Sequence, residues 1–122
     1  MFKIMVVDDE PDNIELMKII LSKHSFEPIL FTKPVEALKA LKSGVWPDLL
    51  ILDMRMPVMS GTDFCIELRK DSKFDKIKIV FFTASSDLDD ELLRKYGARG
   101  FIYKPFNINE LIQQINKFLA MK

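Results

Sequence analysis

Leu49-Leu50-Ile51-Leu52-Asp53 is the stretch that decides the fold: four consecutive apolar residues ending on a carboxylate. A run this short and unbroken suits a strand buried on both faces, as in a parallel sheet covered by helices. Similar runs rich in Ile, Val and Phe stand at 2–7, 28–31, 77–82 and 101–103. Segments of helical period lie between them. Pro11 suits a first helical turn, with Ile14, Met17 and Leu21 along one face. Thr32 and Pro34 open a second helix, striped by Ala37, Leu38 and Leu41 and ended by Gly44. Ser60-Gly61-Thr62 leads into a third, with Phe64, Cys65 and Leu68 apolar and Gly61 read as a turn residue. Ser86 or Asp87 is expected to cap a fourth, which carries Leu88 and Leu92 and stops at Gly97. Asn107 and Glu110 form a capping box for a fifth, carried by Leu111, Ile112, Ile115 and Leu119. The order is β-α five times over. It implies an α/β domain: a five-stranded parallel sheet, doubly wound, with helices on both faces.

Composition narrows the function. The chain has 122 residues, 48% of them hydrophobic, and its 18 Lys+Arg balance 18 Asp+Glu. That length suits one domain, and so apolar a composition excludes disorder. A net charge of zero argues against a nucleic-acid binder. Cys65 is the single cysteine, so no internal disulfide forms, which fits a reducing compartment. No apolar run is long enough to span a bilayer, and Met1-Phe2-Lys3-Ile4 runs into Asp8-Asp9-Glu10, unlike a secretory signal. A cytoplasmic single domain without membrane contact is expected. The chain stops soon after the fifth helix, so no effector domain is expected within these residues.

In an open parallel sheet, ligands bind beyond the carboxyl ends of the strands. Asp8, Asp9 and Glu10 follow the first run, and Asp53 ends the third. Thr83, Ala84 and Ser85 follow the fourth, and Lys104 and Pro105 the fifth. Three carboxylates gathered at one edge repel each other and call for a hard divalent cation. Magnesium suits oxygen ligands of this kind, whereas zinc would want a histidine or second cysteine beside them. One carboxylate then remains to attack phosphorus and form an aspartyl phosphate, with Thr83 and Lys104 holding phosphoryl oxygens.

Val6-Val7-Asp8-Asp9-Glu10, Pro47-Asp48-Leu49-Leu50-Ile51-Leu52-Asp53-Met54, Met56-Pro57 with Gly61, Phe82-Thr83-Ala84 and Lys104-Pro105-Phe106 together resemble a response-regulator receiver domain of two-component signalling. The resemblance covers residues 1–122 and implies a flavodoxin-like topology. It implies Asp53 as phosphoacceptor, Asp8 and Asp9 as the acidic pair, Lys104 as the phosphate-pairing lysine and Thr83 and Tyr103 as switch residues. It further implies Mg2+ on Asp9, Asp53 and the backbone carbonyl of Arg55, with Asp8 acting through water, and a cis Lys104-Pro105 bond. The implied partner is a histidine kinase or histidine phosphotransfer protein. A downstream protein or a second copy would use the face of the fourth helix, fifth strand and fifth helix, which bears Arg94, Lys95 and Arg99. Such a domain is not an enzyme beyond catalysing its own phosphorylation and dephosphorylation.

Three other functions compete. A magnesium-dependent phosphohydrolase with an aspartyl nucleophile would want a second acid two residues on, where Arg55 stands. A flavodoxin-like electron carrier would not put Asp8-Asp9-Glu10 against a phosphate. A pseudo-receiver, acting as a docking module alone, would normally lack the acceptor or the acidic pair. Arg55 and Ser85 each follow a key site residue by two and are expected to flank the path of the hydrolytic water. His24 reads as a helix-boundary residue, Cys65 as core filler, and Met54, Met56 and Met59 as packing. Trp46 is expected at the end of the sheet opposite the site.

Overall fold

The computed structural model describes residues 1–84 and 89–121. Its elements alternate from end to end: β1 (Lys3–Val7), α1 (Pro11–Lys23), β2 (Glu27–Phe31), α2 (Pro34–Lys42), β3 (Leu49–Asp53), α3 (Gly61–Arg69), β4 (Ile79–Thr83), α4 (Asp90–Tyr96), β5 (Gly100–Tyr103) and α5 (Ile108–Ala120). The five strands pair in parallel in the order β2-β1-β3-β4-β5. Strand order therefore reverses at β1, and the crevice that binds ligands in such sheets opens at the carboxyl ends of β1 and β3.

Side-chain alternation divides the core in two. Met5, Val7, Leu50, Leu52, Ile79 and Phe81 meet Leu38, Leu41, Phe64 and Leu68 of α2 and α3 on one face. Ile4, Val6, Leu49, Ile51, Val80 and Phe82 meet Met17, Leu21, Leu111 and Ile115 of α1 and α5 on the other. Both faces of the central strands are thus dry, which explains why β3 and β4 read as unbroken apolar runs.

Several expectations need correction. β2 and β5 are edge strands rather than enclosed on both faces: β2 is half-buried along most of its length, and β5 alternates buried residues with more exposed ones. Pro28 has no N–H to donate and is tolerated because β2 has one neighbour only. Phe2 and Ile77 fall outside the strands, Phe2 exposed and Ile77 buried against the core. Thr32 does not cap α2; Lys33 stands at that position without a side-chain bond, and Pro34 begins the helix. The expected caps Ser86 and Asp87, and Leu88 with them, lie outside the described residues. The described α4 is capped by Asp89, whose Oδ1 accepts the Leu92 N–H at 3.1 Å, and it buries no residue fully. Gly97 ends that helix as expected, in the left-handed region at φ 66°. Ser60 Oγ caps α3 through the Asp63 N–H, and Asn107 Oδ1 caps α5 through the N–H groups of Asn109 and Glu110.

Gly61 has a larger role than a turn. A Cβ there would stand 2.6 Å from the Asp53 carbonyl oxygen, so the missing side chain lets α3 begin against the end of β3. At the other end of α3, the Arg69 guanidinium donates to the carbonyls of Phe74, of Ile77 at 3.1 Å and of Gly97 at 2.9 Å. One side chain thereby ties α3 to the approach to β4 and to the end of α4.

Candidate functional site

Each site residue leaves the sheet at the carboxyl end of a strand. Asp8 follows β1 and is fully buried. Its Oδ1 accepts the Glu10 N–H at 3.0 Å, and its Oδ2 accepts from Asn13 Nδ2 at 3.1 Å. Asp53 ends β3 and is 6% exposed, with Oδ1 accepting the Arg55 N–H at 3.2 Å. Asp9 is half-buried beside them. One carboxylate oxygen from each of Asp8, Asp9 and Asp53 lies within 4.8 Å of the others. The three acids predicted to converge do so.

Lys104 arrives from the far side of the crevice, just beyond β5. Its backbone N–H donates to the Thr83 carbonyl at 2.8 Å, and the Lys104-Pro105 bond is cis, as the resemblance implied. The ammonium stands 3.5 Å from Asp8 Oδ2 and 3.6 Å from Asp53 Oδ2, with the Phe82 ring centroid at 4.7 Å. Thr83 ends β4, is 4% exposed and joins Asp53 and Lys104 in the wall of a cleft of about 440 Å³. Arg55 is exposed at the rim of this cleft. Tyr103 pairs with Thr83 in the β4–β5 register, is 44% exposed and packs its ring on Phe101 with centroids 6.0 Å apart. Ser85 lies outside the described residues.

The electrostatics are unbalanced towards negative charge, since one lysine faces three carboxylates. Burial, and after it the neighbouring Asp8 charge, pushes the Asp53 carboxyl up to about 6; Lys104 and the Arg55 N–H pull the other way. Among the described residues the cluster offers oxygen donors alone, with no imidazole or thiolate beside them. That donor set fits a hard divalent cation such as magnesium and not zinc.

Sequence reasoning missed Asn13. An asparagine in the first turn of a helix carries no motif, and the fold alone shows its amide on Asp8. The residues read as structural are structural. His24 ends α1, where its Nδ1 lies 2.8 Å from the Ile20 carbonyl oxygen. Cys65 is buried in α3, and burial pushes its thiol up to about 12. Met56 is buried in the core, and Met54 and Met59 pack against it. Trp46 precedes β3, away from the crevice, and stacks on Phe74 with centroids 6.0 Å apart.

Comparison with known proteins bears on this geometry. The model of the response regulator receiver domain family matches residues 4–116. The DNA-binding response regulator MtrA of Mycolicibacterium smegmatis is 36% identical over 114 residues, which are 93% of this chain and 48% of that protein. The chain thus spans about half the length of that relative. The Vibrio cholerae chemotaxis protein CheY4 superposes with a TM-score of 0.86 at 29% identity, covering 97% of this chain and 98% of that one. The response regulator TrrA of Thermotoga maritima, solved in complex with Mg2+ and BeF, gives a TM-score of 0.81 at 39% identity over 97% and 99% of the two chains. Among the described residues, no helix is long and apolar enough to cross a membrane.

Proposed function

This chain belongs to the response regulator receiver domain family of two-component systems, and on that premise we propose that it is a phosphoacceptor switch with Asp53 as nucleophile. The observation that carries the reading is the buried Asp53 carboxylate, 3.6 Å from the Lys104 ammonium and inside a cluster of three acids. The phosphodonor is a histidine kinase or a histidine phosphotransfer protein. An Asp53 carboxylate oxygen attacks phosphorus, the bond from phosphorus to the donor's ring nitrogen breaks, and its electron pair returns to that nitrogen, which takes up a proton. Lys104 pairs with the phosphoryl oxygens by charge, and Thr83 holds another by hydrogen bond. Asp9, Asp53 and the Arg55 carbonyl would hold Mg2+, with Asp8 acting through water. When bound, the ion supplies the positive charge that lets an anionic donor approach three carboxylates.

The domain acts on itself alone and turns over no separate substrate. Arg55, at the rim of the cleft, tunes the lifetime of the phosphoryl group, either by shielding it or by orienting the attacking water, and Ser85, two residues past Thr83 in the sequence, is a second candidate for tuning. Output runs through Thr83 and its register partner Tyr103 to the face of α4, β5 and α5, where a downstream protein or a second copy binds. The charge balance gives this domain no basic excess for nucleic acid, and the free Cys65 thiol fits a cytoplasmic setting.

Incubation with acetyl phosphate or phosphoramidate, followed by intact mass, tests the assignment. One phosphoryl group should be added when magnesium is present and none when it is chelated. Modification of Asp53→Asn at the wild-type rate overturns the choice of nucleophile. A wild-type protein that stays unmodified supports the docking-module reading instead.

A further inference from the structure

Asp8 is the most buried acid of the pocket, and the phosphoryl chemistry does not consume it. Its Oδ2 has two partners of different kinds: Asn13 Nδ2 at 3.1 Å and Lys104 Nζ at 3.5 Å. The lysine is shared, since the same ammonium stands 3.6 Å from Asp53 Oδ2. The reaction requires this ammonium to turn towards phosphoryl oxygens on Asp53. A fully buried carboxylate that surrenders its cation depends all the more on its remaining donors, here Asn13 beside any water on the metal, because an unpaired buried charge is strongly unfavourable. The Glu10 N–H serves Oδ1 and leaves Oδ2 to Asn13.

We propose that Asn13 is a positioning residue that holds Asp8 in both states of the site and so frees Lys104 for the phosphoryl group. The inference rests on the phosphoacceptor reading above. Asn13 is well placed for the task. It lies in the first turn of α1, where its backbone N–H donates to the Glu10 carbonyl at 3.1 Å, and Pro11 fixes the start of that turn. Neither Asn13 nor Asp8 lines the cleft, and Asn13 reaches the site through its bond to Asp8. Its amide is neutral, so the hydrogen bond persists unchanged as charge enters and leaves the pocket.

The test is a double-mutant cycle of Asn13→Ala and Lys104→Ala. In metal-free protein at neutral pH, urea unfolding of the double variant should show a loss larger than the sum of the single losses, because Asp8 Oδ2 then has neither donor. With saturating magnesium and acetyl phosphate, Asn13→Ala should lower the maximal phosphorylation rate roughly fivefold with the donor KM unchanged. In the Lys104→Ala background the same change should cost less than about twofold, because the group it frees is gone. Asn13→Ser keeps a donor and should recover part of the rate. Asn13 is half-buried, and the serine variant guards against loss of folding. Additive unfolding losses together with an Asn13→Ala rate within about twofold of wild type overturn the proposal. An unmodified wild type overturns the phosphoacceptor reading and this inference with it, whereas a modified wild type with unaffected variants overturns this inference alone.

Discussion

At Asp53, burial and the Asp8 charge hold the carboxyl at about 6, well above the roughly 4 of a solvated aspartate. The sign of the consequence follows from proton linkage. Between pH 4 and pH 6, roughly, the folded domain holds this proton more tightly than the unfolded chain, so metal-free stability falls as pH rises through that window. Above it, the folded domain carries the full penalty of a buried anion beside another. Asp53→Asn removes that charge. Urea unfolding of the metal-free variant at pH 7 should show a gain of about 1–3 kcal/mol and a flatter pH dependence between 4 and 6; a loss of stability would contradict the electrostatic account. At this scale the sequence was most informative. The acids, Thr83 and Lys104 could be named because chemistry-bearing residues sat where greasy strands ended. Asn13 could not, because its significance is a contact with Asp8 that the path of α1 creates.

Among the elements, β3 and α3 are joined more closely than a turn requires. Gly61 starts α3 within 2.6 Å, at its absent Cβ, of the Asp53 carbonyl oxygen. Gly61→Ala must push backbone away from backbone at the residue that bears the nucleophile. We expect a loss of at least about 2 kcal/mol in chemical unfolding and a slower phosphorylation of whatever folds. A neutral substitution would show that the α3 start tolerates a shift. Arg69 makes the second joint, with bonds to the Phe74, Ile77 and Gly97 carbonyls. Arg69→Ala removes a donor from each of these carbonyls, of which that of Phe74 keeps the Ile77 N–H at 3.1 Å, and should cost about 1–3 kcal/mol. Arg69→Lys should rescue little, since an ammonium cannot reproduce the planar fork; full rescue would mean that charge alone holds the joint. Helix existence and the β-α alternation were legible from periodicity, because both faces of the central strands are apolar. The edge character of β2 and β5 was not, since their apolar residues look alike until strand order is known. The caps expected for α4, Ser86 or Asp87, lie outside the described residues; the described helix is capped by Asp89, an equally suitable residue just downstream, and none of its residues is fully buried.

For the whole molecule, the sheet order sets where chemistry is and how it reaches the surface. Reversal at β1 opens the crevice over Asp8 and Asp53, and β4 carries Thr83 from that crevice to its pairing with Tyr103 on edge strand β5. In the proposed switch, a phosphoryl group that draws the Thr83 hydroxyl would let Tyr103, now 44% exposed and packed on Phe101, turn inward. The resulting population shift is bounded by the difference in interaction energy of that group with the two states. Beryllofluoride with magnesium should therefore change partner binding or self-association in wild type and leave Thr83→Ala unchanged, as read by sedimentation or titration calorimetry. An equal response in both would remove Thr83 from the path between site and surface.

The central claim is that this fold makes Asp53 a nucleophile towards phosphorus. Protein treated with acetyl phosphate and magnesium can be quenched, digested and mapped by tandem mass spectrometry, beside a sample treated with chelator. The account predicts a single phosphoryl group on the peptide that contains Asp53, at that residue, present with magnesium and absent without it. A phosphoryl group found elsewhere in the chain, or found at Asp53 equally in the chelated sample, would contradict it.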